Sequence, residues 1–256
     1  MCIETELGCP VTRLERQYRQ SDNESALFYN VVNYPKRSDS EELKFDDSFQ
    51  LIPASEGDIF KVIQEEAVKR YLAGENVQVI ATTRADVKKL NEALQQVVNP
   101  PAEGKAEVTH NGITVRENDQ TMILKNNREE RVFNGDIGTA HVEPMEGGSA
   151  FIHIPLSANR QPKFFSAKIG STLALAYALT VHKSQGSQYD TVIMPASTDC
   201  QKMLRRNLFY TAISRAKKQV ILVGSKEALH IAMVTPPEPR KSMLVIKTHQ
   251  KMHFAA

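Results

Sequence analysis

At 256 residues the chain can hold one large or two modest domains, each with a core of its own. A formal net charge of +2 neither demands nor excludes a nucleic-acid partner, so any grip on a polyanion must come from local placement of cations. Three cysteines, Cys2, Cys9 and Cys200, are too few and too scattered for a disulfide framework or a metal site, and they read as reduced thiols of a cytoplasmic protein.

The opening MCIETELGCP has no apolar core of signal-peptide length. The longest apolar run, Leu173 to Leu179, is far too short to cross a bilayer, so no membrane partner is expected. Phe49 to Pro53 is a short strand candidate. Ser55 begins a capping pattern with Asp58, and Ile59, Ile63, Ala67 and Tyr71 follow at helical spacing until Gly74. Val77 to Ala81 is a buried strand, and Thr83 with Asp86 repeats the capping pattern. The next helix carries Val87, Leu90, Leu94 and Val97 on one face and stops at Pro100 and Pro101. Strands alternating with helices predict a parallel sheet.

From about residue 107 the texture changes to short alternating runs: Ile113 to Val115, Thr121 to Leu124, Ile137 to Val142 and Phe151 to Leu156. Asn134-Gly135 and Gly147-Gly148 punctuate them, as expected of a small antiparallel β-barrel inserted into an α/β domain. The α/β pattern is expected to resume at Leu173, with an apolar run to Val181 read as one strand and Thr191 to Ala196 as another. An amphipathic run carrying Arg215 and Lys217 leads into the strand Gln219 to Gly224, and Glu227 to Val234 reads as a closing helix. Pro236, Pro237 and Pro239 mark a loose basic tail.

Three segments concentrate chemistry. Thr180, His182, Lys183, Ser184, Gln185 and Gly186 place hydroxyls, a cation, an imidazole and an amide just after an apolar run, groups suited to a phosphodiester backbone. Taken alone, His182 reads more readily as a hydrogen-bonded structural histidine. Arg215, in YTAISRA, offers planar forked donors that suit phosphate oxygens, although a lone S-R-A is usually a solvated helix arginine. Asn126 to Gly138, NNREERVFNGDIG, is a well-made hairpin by its Asn-Gly, with Phe133 read as a core aromatic and stacking on a base as the alternative. No G-x-x-x-x-G-K-[ST] occurs in the sequence.

TVHKSQG and YTAISRA resemble the fifth and sixth motifs of superfamily 1 DNA helicases, in the RecD-like (exodeoxyribonuclease V alpha chain) branch. LERQYRQ, residues 14–20, resembles the fourth motif, and NNREERVFNGDIG resembles the Src-homology-3-like insert of the same branch. The resemblance, from about residue 11 to 233, implies a second RecA-like domain at 1–106 and 167–235, interrupted by a β-barrel at 107–166 and followed by a tail at 236–256. It implies that Arg215 is an arginine finger and that Arg19, Gln20, Gln188 and Arg215 face a nucleotide. Gln188 stands where relatives commonly carry Glu, so the negative charge found there in relatives is missing. Thr82, Arg84, Asn126, Asn127, Arg131, Thr180, His182, Lys183, Ser184 and Gln185 are implied to meet single-stranded DNA, while Thr83 serves equally as a helix cap.

In such an enzyme ATP and Mg²⁺ bind a first RecA-like domain, and the motor steps 5′ to 3′ along one DNA strand, in repair, recombination or plasmid transfer. That first domain is not recognisable here. It is expected in cis or from a partner chain, and the chain alone is expected to bind DNA weakly and hydrolyse no ATP. A non-catalytic nucleic-acid adaptor derived from a helicase is the alternative.

Overall fold

The computed structural model describes residues 19–20, 22–33, 43–157, 159–199 and 205–236. Residues 14–18 of the fourth-motif resemblance and most of the proline-rich tail lie outside the described residues.

Five parallel strands form the main sheet: β1 (Phe49–Pro53), β2 (Val77–Ala81), β11 (Ala178–Thr180), β12 (Tyr189–Ala196) and β13 (Ala216–Gly224). Their spatial order is β1-β13-β12-β2-β11. Alternation along each strand feeds two layers, as a period of two requires. Val79, Ala81, Ile193, Ile221 and Val223 face helices α2 (Ile59–Leu72) and α3 (Arg84–Val98). Ile80, Val192, Met194, Val220 and Leu222 share the opposite layer with helices α1 (Ala26–Asn33), α4 (Arg206–Ile213) and α5 (Lys226–Val234).

The caps follow the sequence unevenly. Thr83 caps α3, its hydroxyl accepting from the Asp86 amide at 3.1 Å. At α2 the expected Ser55 cap stays outside the helix: its hydroxyl donates to the Asp58 carboxylate at 2.5 Å, and Asp58 occupies the cap position. Gly224 ends β13 at φ +142°, and a Cβ there would stand 2.0 Å from the carbonyl oxygen of Ala196, so only glycine lets the two strand ends approach.

Between β2 and β11 the chain builds short antiparallel sheets. One is β3 (Glu107–His110) with β4 (Ile113–Arg116), and another is β7 (His141–Pro144), β8 (Ala150–His153) and β9 (Lys163–Phe165). The third is β10 (Leu173–Leu175), β5 (Gln120–Ile123) and β6 (Ile137–Thr139). The insert is mixed into the fold rather than hung from it: Val115, Ile123, Val132 and Ile152 belong to the same apolar cluster as Leu90, Leu94 and Val79.

One expectation fails at the exit from the insert. The run Leu173 to Val181 is two strands, not one. Leu173–Leu175 pairs antiparallel with β5, and only Ala178–Thr180 joins the parallel sheet beside β2. The break at Ala176 and Tyr177 is fixed by polar clamps. The Gln78 amide donates to the carbonyls of both residues at 3.1 and 3.0 Å, and the Tyr71 hydroxyl donates to Tyr177 at 2.9 Å. Asn91 exchanges two 2.9 Å hydrogen bonds with the backbone of Ala178, acting as a substitute neighbour for this edge strand.

Asp119, fully buried, closes the junction. It accepts from the Arg116 amide at 2.7 Å, from Asn99 at 2.7 Å, from the Tyr177 hydroxyl at 2.8 Å and from Gln95. Burial, then the Asp119 charge, pushes the Tyr177 phenol well above its ordinary pKa, so it stays a donor at any physiological pH. Asp119→Ala would leave these donors without their acceptor. The expected loss is about 3 kcal/mol or more in urea unfolding, with Asp119→Asn retaining part of it.

Candidate functional site

Because the sheet is parallel, strand starts and strand ends lie on opposite edges, and the predicted residues divide between them. Arg215 and Gln188 directly precede β13 and β12, whereas Thr180 ends β11 and Thr82, Arg84 and Lys183 lie beyond the ends of β2 and β11.

At the first edge, α4 ends at Ile213, so Arg215 sits in the turn between helix and strand, not within the helix. The turn holds it by every nitrogen of its guanidinium. Nε donates to the Thr211 carbonyl at 3.1 Å, Nη2 to the Ser214 hydroxyl at 3.2 Å and Nη1 to the Ser187 carbonyl at 3.5 Å. Arg19 reaches the same turn and donates to the Ser214 carbonyl. Gln20 is buried, its amide donating to the Ala216 carbonyl at 2.6 Å, which makes it an anchor for this turn and not an open contact.

Burial lowers the Arg215 pKa, and the nearby Arg19 charge lowers it further. The Arg215 guanidinium remains protonated, since arginine titrates far above neutrality. Among the described residues neither arginine has a carboxylate partner. Two half-buried cations side by side repel each other, and an anion is what relieves the repulsion. Gln188 is exposed beside them.

At the other edge, Arg84 is close enough to Lys183 that its charge is felt there. With Thr180 and Lys88 they line a groove of about 810 Å³ between the sheet and the insert, whose wall includes Ile113 and Leu124. The Thr180 hydroxyl accepts from the Lys183 amide at 3.3 Å and shapes the turn that carries the lysine. His182 and Gln185 are exposed on this turn, and Gly186 closes it at φ +91°.

Ser184 departs from its expected role. It has 0% exposure, and its hydroxyl donates to the Val181 carbonyl at 2.8 Å, so it builds the turn from inside. Thr82 is likewise buried, with its hydroxyl lacking a hydrogen-bond partner.

Asn126, Asn127 and Arg131 lie on the loop between β5 and β6 and do not line the groove. Asn126 Oδ1 accepts from the Asn134 amide at 2.7 Å, and Asn127 Oδ1 from the Glu129 amide at 3.0 Å, so both side chains template the loop. Arg131 takes the left-handed region at φ +52°. Phe133 is not in the core as expected; it is 57% exposed.

Sequence reading missed Asp119 and its partners Gln95 and Asn99. Gln95 and Asn99 fall one helical turn apart near the C-terminal end of α3, polar residues next to the apolar stripe of Leu90 and Leu94, and that placement is the signal that could have found them.

Two family profiles match the chain. The UvrD-like helicase C-terminal domain matches residues 175–223, and the ATP-dependent RecD-like DNA helicase SH3 domain matches residues 90–147. The chain is 32% identical over 178 residues to the ATP-dependent RecD2 DNA helicase of Deinococcus radiodurans, an alignment covering 68% of this chain and 24% of that one. Against the RecBCD enzyme subunit RecD of Mycobacterium tuberculosis it is 31% identical over 112 residues, 44% of this chain and 19% of the relative. The Pif1 helicase from Bacteroides, solved in complex with ADP-AlF3 and single-stranded DNA, is similar in fold with a TM-score of 0.52 at 18% identity. That match covers 93% of this chain and 56% of the other.

Parallel sheet, helical layers and SH3-like insert together define a helicase C-terminal domain. The chain belongs to the RecD-like branch of the superfamily 1 helicases, as a stretch of their C-terminal half. It spans about a quarter or less of the length of the curated relatives it matches. No helix among the described residues is long and apolar enough to cross a membrane.

The Arg19–Arg215 pair predicts selective stabilisation by polyanions. In thermal melts, millimolar pyrophosphate should raise the midpoint of the wild-type chain through linkage. Arg19→Ala and Arg215→Ala should each lose most of that shift. An equal shift in all three proteins would detach the pair from anion binding.

Proposed function

We propose that this chain is the second RecA-like motor domain of an ATP-dependent, 5′ to 3′ DNA helicase, with the SH3-like segment at 107–166 as an insert between its two parts. The observation that carries this reading is the pair of half-buried guanidiniums at the start of β12 and β13, held by neutral acceptors and without a carboxylate partner among the described residues.

In this reading Arg215 is the arginine finger and Arg19 its companion, both directed to the phosphates of ATP held by a first RecA-like domain, in cis or in a partner chain. Fixed forked donors aimed at phosphoryl oxygens stabilise developing charge without rearrangement during the reaction. The chemistry of the pair fits a triphosphate. The Mg²⁺ that neutralises those phosphates is assigned to the first domain: among the described residues no cluster of three or more His, Cys, Asp or Glu could hold a metal ion. Arg215 is kept in place by Thr211, Ser214 and Ser187, so its orientation is set before any nucleotide arrives.

The other edge of the sheet is proposed to hold single-stranded DNA, with Lys183, Arg84, Thr180, His182 and Gln185 presented to the sugar–phosphate backbone. Phosphate contacts of this kind position a strand and carry little sequence information. Both ends belong to one rigid sheet, which links an event at Arg215 to the grip at Lys183.

Joined to a first domain that carries the phosphate loop, the chain should support DNA-stimulated ATP hydrolysis, and Arg215→Ala should cut turnover about 10³-fold or more while sparing DNA affinity. The chain by itself should release no phosphate above background in a colorimetric assay. Turnover by the pure chain, or loss of DNA binding in Arg215→Ala with turnover kept, would sink the assignment.

Lys183 should show in the salt dependence. Titrating a labelled oligonucleotide at several salt concentrations, Lys183→Ala should lower the log–log slope by about 0.7, equally for every sequence, while Ser184→Ala leaves it unchanged. Burial, then the Arg84 charge, holds the Lys183 ammonium below its ordinary pKa of 10.5. Its contribution should therefore be full at neutral pH and fade, as pH rises, earlier than for a free lysine. A slope indifferent to Lys183→Ala would take this residue off the track.

A further inference from the structure

We propose that Phe133 is a stacking platform for one base of a single nucleic-acid strand, at the tip of the loop between β5 and β6. The inference rests on the single-strand reading given above and adds to it a base contact that the phosphate track does not supply.

The ring is 57% exposed, whereas its neighbour Val132 is 1% exposed and locked in the core. Val132 exchanges two 2.9 Å hydrogen bonds with the backbone of Asn127, which fixes the strand-like entry to the tip. The Phe133 amide donates to the Asp136 carboxylate at 2.8 Å, and the Asn134 amide to Asn126 at 2.7 Å. The aromatic is therefore held out by a bonded frame on both sides and is not left there by a slack loop.

A cation backs it. The Arg160 guanidinium lies 5.6 Å from the ring centroid, inside the range of a cation–π contact. Arg160 is itself fixed, by an ion pair with Asp136 and by a 2.9 Å hydrogen bond from Nε to the Arg131 carbonyl. An arginine on an aromatic ring is a cationic support that also favours a nucleobase stacked on the same ring.

The surroundings favour a base over a protein face. The other exposed residues of the same loop, Lys125 and Asn126 among them, are all polar. One ring in polar company matches one planar base, and the backbone that carries it is already fixed by the frame. The platform also stands close in the chain to the groove, since Leu124 lines the groove wall just before the loop begins.

The test uses the whole chain and a single-stranded oligonucleotide carrying 2-aminopurine, read by base fluorescence and by anisotropy at several salt concentrations. Wild type should quench the base on binding. Phe133→Leu should abolish the quench and weaken binding about tenfold, with an unchanged salt slope; Phe133→Tyr should keep both signals. Phe133→Trp adds an independent readout, because the natural chain contains no tryptophan: its emission should fall when unlabelled strand is added. Salt-dependent binding with full quenching in Phe133→Leu would overturn the platform and leave the phosphate track standing. No binding by the wild-type chain at low salt would overturn the track itself, and the platform with it.

Discussion

A single buried carboxylate decides how this molecule is put together. Asp119 lies in the turn between β4 and β5 of the insert, yet its acceptors are filled from α3 by Gln95 and Asn99 and from the approach to β11 by Tyr177. An ionised group without solvent is tolerable only when each lone pair is met, so the three segments hold one arrangement together or lose it together. The insert cannot pivot on the sheet without uncovering that charge. Tyr177 precedes β11, and β11 delivers Thr180 and Lys183, so the geometry of the groove is set from the same point.

The parallel sheet adds a second constraint, which is direction. Residues before a strand and residues after one cannot share an edge, and so Arg215 enters the sheet at one edge while Lys183 leaves it at the other. Between them run β11, β2, β12 and β13, bonded in register. In the proposed motor this is the useful arrangement. The Arg215 guanidinium meets the Ser187 carbonyl at 3.5 Å, and the Ser187 amide bonds back to the Ser184 carbonyl at 3.2 Å, so the pair is joined to the turn that carries Lys183. The pair sets two like charges side by side, met among the described residues by neutral acceptors. Local conflict of this kind is what a sequence retains where an absent ligand completes the electrostatics.

Much of the sheet was legible because buried strands are apolar and their helices periodic: Val77 to Ala81 and the helix capped by Thr83 stand where the pattern put them. The run from Leu173 to Val181 was misread for a physical reason. Apolarity reports burial, and both halves are buried, but it does not report which partner takes the backbone hydrogen bonds. That choice was made by Gln78, Tyr71 and Asn91, polar side chains far away in sequence. Ser184 and Phe133 erred in opposite directions for one reason. A small hydroxyl can satisfy itself on the Val181 carbonyl and sink into the turn, while a large ring can be held in water by a hydrogen-bonded frame. Residue type gives the tendency, and the local frame overrides it.

These reversals narrow what touches a ligand. Ser184, Gln20 and the two asparagines Asn126 and Asn127 spend their polar groups on the protein's own backbone, so they shape surfaces more than they offer contacts. The cations lining the groove are Arg84, Lys88, Arg116 and Lys183, of which Arg116 is paired with Glu107 and Lys88 with Glu92, in a chain whose overall charge is only +2. So few cations release few counter-ions, and electrostatic grip alone is then weak and readily screened. In the proposed motor, a strand held this lightly could be let go and taken again at the next position, and the stronger holding would be shared with the proposed first domain and with the exposed ring at the tip of the insert.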